Sequence, residues 1–501
     1  MNDAYRELKN RLAEVHDLAK AAGVLSWDQR TMMPPGGAPA RAEQLATLSR
    51  LAHERFVSDE IGQLLEELAA DEESLDDSSD EASLIRITRR DYEKARRVPP
   101  ELRAEMTRAA SLALPVWDEA KRTSDFPLFR PHLERNLELR RRYVECFDAG
   151  DEEYDILLDD YEPGMTTAEV RAVFDALKAE LVPLIEAIGE RADTVDDSCL
   201  RGTFPVARQQ EFELAVLERF GFTPASWRLD ETVHPFAANG SAADIRLTTR
   251  RREGDLNAIF ATMHEFGHGL YEHQVDPALE RTPLARGASL GLHESQSRMW
   301  ENLVGRSRPF WHRFYPDLQR LFSEQLGRTD AEAFYRAVSK VEPSLIRIEA
   351  DEVTYNLHIV LRFELEQELL AGTVATPDLP EAWNAGMKAY LGIDVPDDAR
   401  GCLQDMHWAG AHLGYFPTYS LGNVISVQIW ERLRADLPEL DAQIAEGEFA
   451  PLRDWLREHL HRHGRKFMPQ ETLERAVGGP IDPGPYLRYL RTKLGEMYGL
   501  P

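Results

Sequence analysis

Apolar residues recur at three- and four-residue spacing through most of the 501-residue chain, and this pattern predicts a mainly α-helical fold. The first two hundred residues carry this spacing with few strand signals. The clearest predicted helices are Tyr5 to Ala22, Arg41 to Phe56, Pro100 to Thr123 and Thr167 to Ala192. Because no long Gly/Ser/Pro-rich linker and no repeat period interrupts the pattern, we predict one large domain over residues 1–501.

Strand-type alternation is confined to short segments. Ile245 to Thr249 alternates, and the turn-forming pair Asn239-Gly240 precedes it. We expect this segment to be an edge strand that can pair with an extended peptide. The acidic run Asp71 to Glu81 is the best candidate for a mobile, solvated connection.

A further helix-type pattern, after the predicted strand, carries residues that could perform chemistry. Its apolar stripe consists of Leu256, Ile259, Phe260, Met263, Gly267 and Leu270, and Asp255 is the expected N-cap. His264 and His268 would project from one face of this helix, so that both imidazoles can reach one metal ion. Glu265 points about 100° around the helix, where it can accept a proton from water without ligating the metal.

A catalytic zinc ion usually takes three protein ligands. The metzincin continuation is excluded, because Tyr271 and Gln274 stand where that pattern requires Gly and His. Glu294 follows His268 by 26 residues, and a predicted helix capped by Ser289 would carry it back against the first helix. The alternatives are two hydrogen-bonded core histidines and an ordinary solvated glutamate.

Six ordered motifs resemble one family, the carboxypeptidase Taq family of zinc metallocarboxypeptidases. Beside His264-Glu265-Phe266-Gly267-His268 and His293-Glu294-Ser295-Gln296, they are His234-Pro235-Phe236, Asp244-Ile245-Arg246-Leu247-Thr248, Ile346-Arg347-Ile348-Glu349-Ala350-Asp351 and Gly401-Cys402-Leu403-Gln404-Asp405-Met406-His407-Trp408. Trp27-Asp28, Met33-Pro34 and Gly36-Gly37 also look like the family's opening. The resemblance covers almost the whole chain.

The resemblance implies a helical body with a deep active-site groove and a small β-sheet near the metal site. Residues 1–200 would form a helical groove wall and residues 201–501 the half that holds the metal. The implied cofactor is one Zn²⁺ per chain, for which Co²⁺ or another divalent ion can substitute. The implied partners are peptides with a free C-terminus and a second copy of the chain in a homodimer.

The predicted chemistry assigns roles to the remaining candidates. Zinc held by His264, His268 and Glu294 would activate water, and Glu265 would act as the base. Arg347, or Arg246 as second choice, would bind the substrate's terminal carboxylate, although either can instead be a surface ion-pair partner.

Tyr419 is the first candidate for stabilising the oxyanion, and His407 and Tyr415 are the next candidates for this role. His407 is also a candidate for substrate binding. An aromatic cluster beside a proline is otherwise simple packing. Asp351, Glu352 and Asp405 are candidates for orienting the ligand imidazoles, or else they cap helices.

Charge and cysteine content exclude other classes. A formal net charge of −28 argues against a nucleic-acid partner. No segment has the roughly 20 apolar residues of a membrane span and no apolar leader follows the first residues, so we expect a cytoplasmic protein with no membrane partner. Cys146, Cys199 and Cys402 have irregular spacing, and we expect all three to be small buried residues.

Three functions stay open from the sequence. The first is a zinc metallocarboxypeptidase that releases single C-terminal residues with broad specificity. The second is a zinc oligopeptidase or dipeptidyl carboxypeptidase, which would use the same chemistry. The third is a helical binding protein without catalytic activity, in which the His-Glu-x-x-His pattern is accidental.

Overall fold

Helices dominate the computed structural model, which describes residues 3–148, 150 and 152–500, and a single small β-sheet accompanies them there. This confirms the predicted fold class, while the groove stays a prediction. The α-helices are α1 (Asp3–Thr31), α2 (Ala38–Phe56), α3 (Asp59–Glu67), α4 (Ala69–Ser74), α5 (Asp80–Arg97), α6 (Pro100–Thr123), α7 (Phe126–Val144), α8 (Tyr154–Leu158), α9 (Thr167–Gly189), α10 (Val206–Phe220), α11 (Asn257–His273), α12 (Leu290–Arg298), α13 (Arg308–Leu321), α14 (Ser323–Leu326), α15 (Ala331–Val338), α16 (Thr354–Ala371), α17 (Leu379–Leu391), α18 (Pro417–Asp436), α19 (Leu440–Glu446), α20 (Ala450–His459), α21 (Pro469–Val477) and α22 (Gly484–Tyr498). A π-helix spans Met299–Val304, and short 3-10 helices span Pro35–Gly37, Ala192–Thr194, Ser198–Leu200, Pro277–Leu279, Arg347–Glu349, Thr376–Asp378 and His461–His463.

The structure divides into two compact units. The first unit comprises Met1–Arg96, Asp197–Val338 and Ile429–Pro480, and the second comprises Arg97–Asp196, Ser339–Gln428 and Ile481–Pro501. The prediction of one domain, with its halves 1–200 and 201–501, stays a prediction. Within the described residues, no helix combines the length and the apolar character of a membrane span.

The helices of the first two hundred residues lie close to their predicted bounds. α6 has the predicted bounds, whereas α1 continues past Ala22 to Thr31 and buries Trp27 in its last turns. The expected acidic loop is wrong at both ends, because Ala69–Ser74 is helical and α5 begins at Asp80. Acidic residues in the first turn of α5 are favourable beside the positive end of the helix dipole.

The sheet belongs to the first unit and has the order β1 (Trp227–Glu231), β3 (Asp244–Thr249), β2 (Ala237–Ser241). β1 pairs with β3 in parallel and β2 pairs with β3 in antiparallel orientation. The predicted edge strand is therefore wrong: β3 is the central strand. The predicted turn at Asn239-Gly240 is also wrong, since both residues lie in the edge strand β2, where the register shifts between Asn239 and Ser241.

α11 packs its predicted stripe into the core of the first unit. The apolar side chains of that stripe are all buried. The helix begins at Asn257, so Leu256 is the N-cap and the predicted N-cap Asp255 is wrong. The Asp255 side chain nevertheless accepts a hydrogen bond from the Asn257 N–H at 3.0 Å. A Cβ on Gly269 would lie 2.7 Å from the Trp227 side chain, so glycine allows α11 to approach the sheet.

The second unit has its own core, in which aromatic rings and a buried carboxylate meet. The Phe363 ring packs edge-on against Tyr154 and Phe174. Glu366 lies one turn along α16 and accepts a hydrogen bond from the Tyr154 hydroxyl at 2.6 Å.

None of the three cysteines forms a disulfide. Cys402 is buried as expected, but Cys146 and Cys199 are only half-buried, so the expectation of three buried cysteines is wrong for these two. Burial raises the pKa of the Cys402 thiol far above its usual value, which leaves this residue inert as a nucleophile.

Candidate metal centre

Three side chains with metal-ligand chemistry meet in the first unit. His264 and His268 extend from α11 and Glu294 from α12, and one ligand atom of each lies within 4.8 Å of the others. Glu294 Oε2 is 3.7 Å from His264 Nε2 and 3.5 Å from His268 Nε2. The fold thus brings together the three residues that the spacing of the motifs selected.

The position of Glu294 depends on how α12 begins and how closely it packs. The Ser289 side chain accepts a hydrogen bond from the Leu292 N–H at 3.1 Å, which is the predicted cap. A Cβ on Gly267 would lie 2.3 Å from the carbonyl oxygen of Gln296. Glycine at 267 therefore allows the backbone of α12 to lie directly on α11 and holds Glu294 beside the two histidines.

The three residues fit a divalent metal ion. Tetrahedral zinc, at about 2.0–2.1 Å from each ligand, places its ligand atoms about 3.3 Å apart. The two separations of 3.5 and 3.7 Å are within a few tenths of an ångström of that value, which small side-chain adjustments can close. Two imidazoles and one carboxylate are also a known ligand set of catalytic zinc.

Glu265 is a buried carboxylate next to this ligand set. It is 6 % exposed, and its Oε2 atom has no hydrogen-bond partner among the described residues. Burial raises the pKa of Glu265 to about 7. A carboxylate with such a pKa can both accept and release a proton near neutral pH, as a catalytic base must.

His264 opposes this rise in the pKa of Glu265, and so, to a smaller extent, does Arg30 near the end of α1. Its guanidinium carbon lies 3.5 Å from the centroid of the Phe236 ring, and it donates a hydrogen bond to the His234 carbonyl at 3.4 Å. The His234-Pro235-Phe236 segment therefore positions a positive charge near the candidate base.

Glu301, from the π-helix that follows α12, orients His264. Its Oε2 atom accepts a hydrogen bond from His264 Nδ1 at 2.9 Å, which leaves Nε2 as the ligand atom of the neutral imidazole. Burial lowers the pKa of His264, but Glu294 and Glu301 outweigh it and raise the pKa, so metal binding at Nε2 would displace a proton. Arg298 and Arg306 also donate to Glu301. Although burial raises the pKa of Glu301, these two arginines outweigh it and hold the pKa well below its usual range.

A second hydrogen-bond chain orients His268. Its Nδ1 atom is 2.7 Å from His293 Nδ1, and His293 Nε2 is 2.9 Å from Glu272 Oε1. Burial raises the pKa of Glu272, but His293 and Lys20 outweigh it and lower the pKa to about 2, so the carboxylate is ionised and can only accept.

The ionised Glu272 fixes the protons along the whole chain. His293 donates from Nε2, and a neutral His293 then accepts at Nδ1 from His268 Nδ1. His268 Nε2 is then unprotonated and faces Glu294. Burial lowers the pKa of His268 to about 4, which also favours the neutral, ligating form.

The carboxylates predicted to orient the imidazoles have other partners within the described residues, and that role stays a prediction. Asp351 precedes α16, and its Oδ1 accepts from the Val353 N–H at 2.8 Å. Glu352 accepts from Lys493 at 2.7 Å, and Asp405 accepts from Arg347 at 2.7 Å. All three belong to the second unit.

Three further candidates form a cluster within the second unit. Arg347 is 5 % exposed and donates to Asp405 from Nε and Nη2, at 3.1 and 2.7 Å, and to the Tyr355 hydroxyl from Nη1 at 2.9 Å. The Tyr419 hydroxyl is 3.2 Å from His407 Nε2, and its ring centroid is 5.0 Å from the Arg347 guanidinium carbon.

Arg347 and Asp405 form a buried ion pair in this cluster. Burial lowers the pKa of Arg347, but Asp405 outweighs it and keeps the guanidinium charged. Burial lowers the pKa of His407 to about 3, so this imidazole is neutral. Tyr415 also lies here, with its ring centroid 5.3 Å from that of Tyr419.

Arg246 lies in the first unit, on the central strand β3. Its Nε and Nη2 atoms donate to Asp244, each at 2.9 Å, and its guanidinium carbon is 4.4 Å from the centroid of the Trp27 ring. Its role in substrate binding stays a prediction.

The model of the carboxypeptidase Taq (M32) metallopeptidase family matches residues 7–494. The chain belongs to this family. It is 43% identical to thermostable carboxypeptidase 1 of Thermus thermophilus, over 99% of each chain, and 38% identical to carboxypeptidase 1 of Bacillus subtilis, over 98% of each. The crystal structure of the M32 carboxypeptidase of Deinococcus radiodurans superposes with a TM-score of 0.96 at 40% identity, covering 99% of this chain and 100% of the other.

Family membership makes the protein a metallocarboxypeptidase, a peptide hydrolase that uses a divalent metal ion. This confirms the predicted enzyme class and the predicted family. It also removes the binding protein without catalytic activity from the three functions that the sequence left open.

Sequence reasoning missed four residues near the metal centre of this metallocarboxypeptidase. For two of them helical periodicity was a usable signal: Glu272 follows His268 by one turn, and Glu301 follows Glu294 by two turns. His293 was visible in its motif but had no role assigned. Arg30 had no local signal, because its contact with the 234–236 segment depends on the tertiary fold.

Proposed function

We propose that this metallocarboxypeptidase binds one Zn²⁺ per chain through His264, His268 and Glu294, and that it releases single residues from peptide C-termini with broad side-chain preference. The observation that carries the proposal is the meeting of these three ligand atoms beside the buried, unpartnered oxygen of Glu265. Co²⁺ is expected to substitute, because the same ligands suit both ions.

Glu265 is the proposed proton carrier of the reaction. When bound, zinc supplies Lewis-acid polarisation of the scissile carbonyl and makes water acidic enough to react near neutral pH. Glu265 takes a proton from the attacking water at Oε2 and passes it to the leaving amine. Glu301 and the Glu272–His293 pair orient the two histidines so that their Nε2 atoms would hold the metal.

Arg347 is the proposed partner of the substrate's terminal carboxylate. Its bonds to Asp405 and Tyr355 leave one hydrogen on Nη1 and one on Nη2 without an acceptor among the described residues. Such a guanidinium is held in one orientation and can bind a carboxylate through two parallel N–H groups. Tyr419, with the neutral His407 beside it, is the proposed hydroxyl donor to the oxyanion.

Removal of the Arg347 guanidinium tests this assignment. Arg347→Ala should lower kcat/KM for a peptide with a free C-terminus about 100-fold or more, while the slow cleavage of the matching C-terminal amide changes little. Arg246→Ala is the matched comparison, because Arg246 is the second choice for the same role. If Arg347→Ala slows the acid and the amide equally, Arg347 does not bind the terminal carboxylate.

The products of an amino-blocked hexapeptide separate the proposed activity from the alternatives. We expect a mass-spectrometric time course to show loss of one C-terminal residue after another. Early dipeptides would identify a dipeptidyl carboxypeptidase, and early internal fragments would identify an oligopeptidase. Either result would overturn the release of single residues without affecting the assignment of the metal ligands.

A further inference from the structure

A cavity of about 490 Å³ lies in the first unit, among α1, the edge strand β2 and the segment 282–286. One side is apolar and includes Leu12, Val15, Phe56 and Pro283. None of the candidate metal ligands lines it. Its volume is in the range of pockets that hold small molecules.

Two cations line this cavity without an ion-pair partner. Lys20 donates to the neutral side chain of Asn239 at 2.9 Å, and no described carboxylate forms an ion pair with Lys20 or Arg286. The third cation, Arg465, is already paired with Asp91 through two hydrogen bonds. Two positive charges therefore lack a counter-charge within the cavity.

Lys20 is half-buried, whereas Arg286 is exposed to solvent. Burial lowers the pKa of Lys20, although Glu272 and Glu280 oppose it. Those two carboxylates are engaged elsewhere: Glu272 accepts from His293, and Glu280 accepts from the Ala242 N–H at 2.7 Å.

A third polar group of the cavity also lacks a partner. His16 Nε2 is buried and forms no hydrogen bond with a described residue. A half-buried cation and a buried ring nitrogen that lack partners cost the folded protein free energy, which a ligand with matching groups would recover.

We propose that this cavity binds a small organic acid, whose carboxylate lies between Lys20 and Arg286 and whose apolar body lies against the Leu12, Val15 and Phe56 wall. Arg286 is exposed and Lys20 half-buried, so an entering carboxylate can reach both. Lys20 is held in place by Asn239, which also donates to Glu272 at 3.1 Å, so the cation does not have to be ordered by the ligand.

Calorimetric titration of the full-length, metal-loaded enzyme with 3-phenylpropionate tests this proposal. The same titration is repeated with chelator present, so that binding at the metal ligands is separated from binding in the cavity. We expect binding that persists in chelator, and at least tenfold weaker binding of the neutral 3-phenylpropionamide and of inorganic phosphate, which lacks an apolar body.

Variants locate the site. Arg286→Gln and Lys20→Met should each weaken 3-phenylpropionate about tenfold or more, and Arg286→Gln should do so without lowering the melting temperature, because Arg286 forms no ion pair in the fold. Arg281→Gln is the matched control, since Arg281 is exposed and paired with Asp17 outside the cavity. Equal binding of the amide or of phosphate, loss of binding in chelator, or unchanged binding in both cavity variants would each overturn the proposal.

Discussion

At the residue scale, two carboxylates outside the ligand set decide which nitrogen of each ligand histidine is available. Glu301 acts directly on His264, whereas Glu272 acts on His268 through His293. Because a carboxylate that is ionised can only accept hydrogen bonds, Glu301 holds a proton on His264 Nδ1, and Nε2 is the ligand atom once the imidazole is neutral. The Glu272–His293 pair favours the same tautomer of His268. Preorganised ligands of this kind bind a metal more tightly than imidazoles that rotate freely.

Glu272→Gln should weaken metal binding about 10- to 100-fold, because an amide can donate to His293 and permits the other tautomer of His268. Competition against a chromophoric chelator measures the affinity directly. Glu280→Gln is the matched control, since Glu280 accepts only a backbone N–H away from the ligands. Equal metal affinity of the two variants and the wild type would refute the role of the His293 chain.

At the element scale, α11 has close neighbours on two sides because it carries two glycines, at 267 and 269. One faces the backbone of α12, and the other faces the side chains of the sheet. A side chain at either position would collide with these neighbours. The two glycines therefore allow α11 to pack closely against both α12 and the sheet.

Gly267→Ala should push α12 away from α11 and displace Glu294 from the two histidines. Overpacking of this kind costs about 1–3 kcal/mol of unfolding free energy. We expect lower stability in urea titrations together with weaker metal binding. Gly189→Ala is the control, because Gly189 ends α9 with no atom near its added Cβ. A Gly267→Ala variant that keeps normal stability and metal affinity would contradict the proposed packing.

Sequence pattern predicted those elements whose signal is local. The stripe of α11 and the cap at Ser289 follow from spacing and from side-chain chemistry within one or two turns. The position of β3 in the sheet was missed because strand order depends on pairing with the distant segments 227–231 and 237–241. Asn239-Gly240 has the local signature of a turn, yet pairing with β3 holds both residues in a strand.

The candidate site shows the same division between local and long-range information. His264, His268 and Glu294 were accessible because helix geometry and loop length restrict which residues can meet. The π-helix that carries Glu301 was not, since no composition or spacing rule distinguishes it from a continuation of α12. Arg347 was correctly seen as a motif residue, but its partnership with Asp405 could be known only from the fold.

At the scale of the whole molecule, a buried carboxylate in the second unit makes stability depend on pH. Glu366 accepts hydrogen bonds from the Tyr154 hydroxyl, from Trp408 Nε1 and from the Gly414 N–H. Burial nevertheless raises its pKa to about 7 from a reference value of 4.5. Between these two values the folded protein keeps a proton that the unfolded chain releases, so stability falls as pH rises.

The unfolding free energy falls by about 3 kcal/mol at most through this group, and the loss is complete once the pH passes about 7. Urea unfolding at pH 5 and at pH 7.5 should therefore show a larger loss of stability for the wild type than for Glu366→Gln, which does not titrate. The exposed Glu381→Gln serves as control. The same pH dependence in wild type and Glu366→Gln would show that Glu366 is ionised in the folded protein throughout.

Glu265 is the proposed base beside a metal that it does not ligate. Metal content and peptide turnover, both measured on one preparation of Glu265→Gln, test this role. We expect about one zinc ion per chain, as in the wild type, with kcat lowered about 100- to 10,000-fold. Turnover near the wild-type rate, or loss of the metal from the variant, would contradict it.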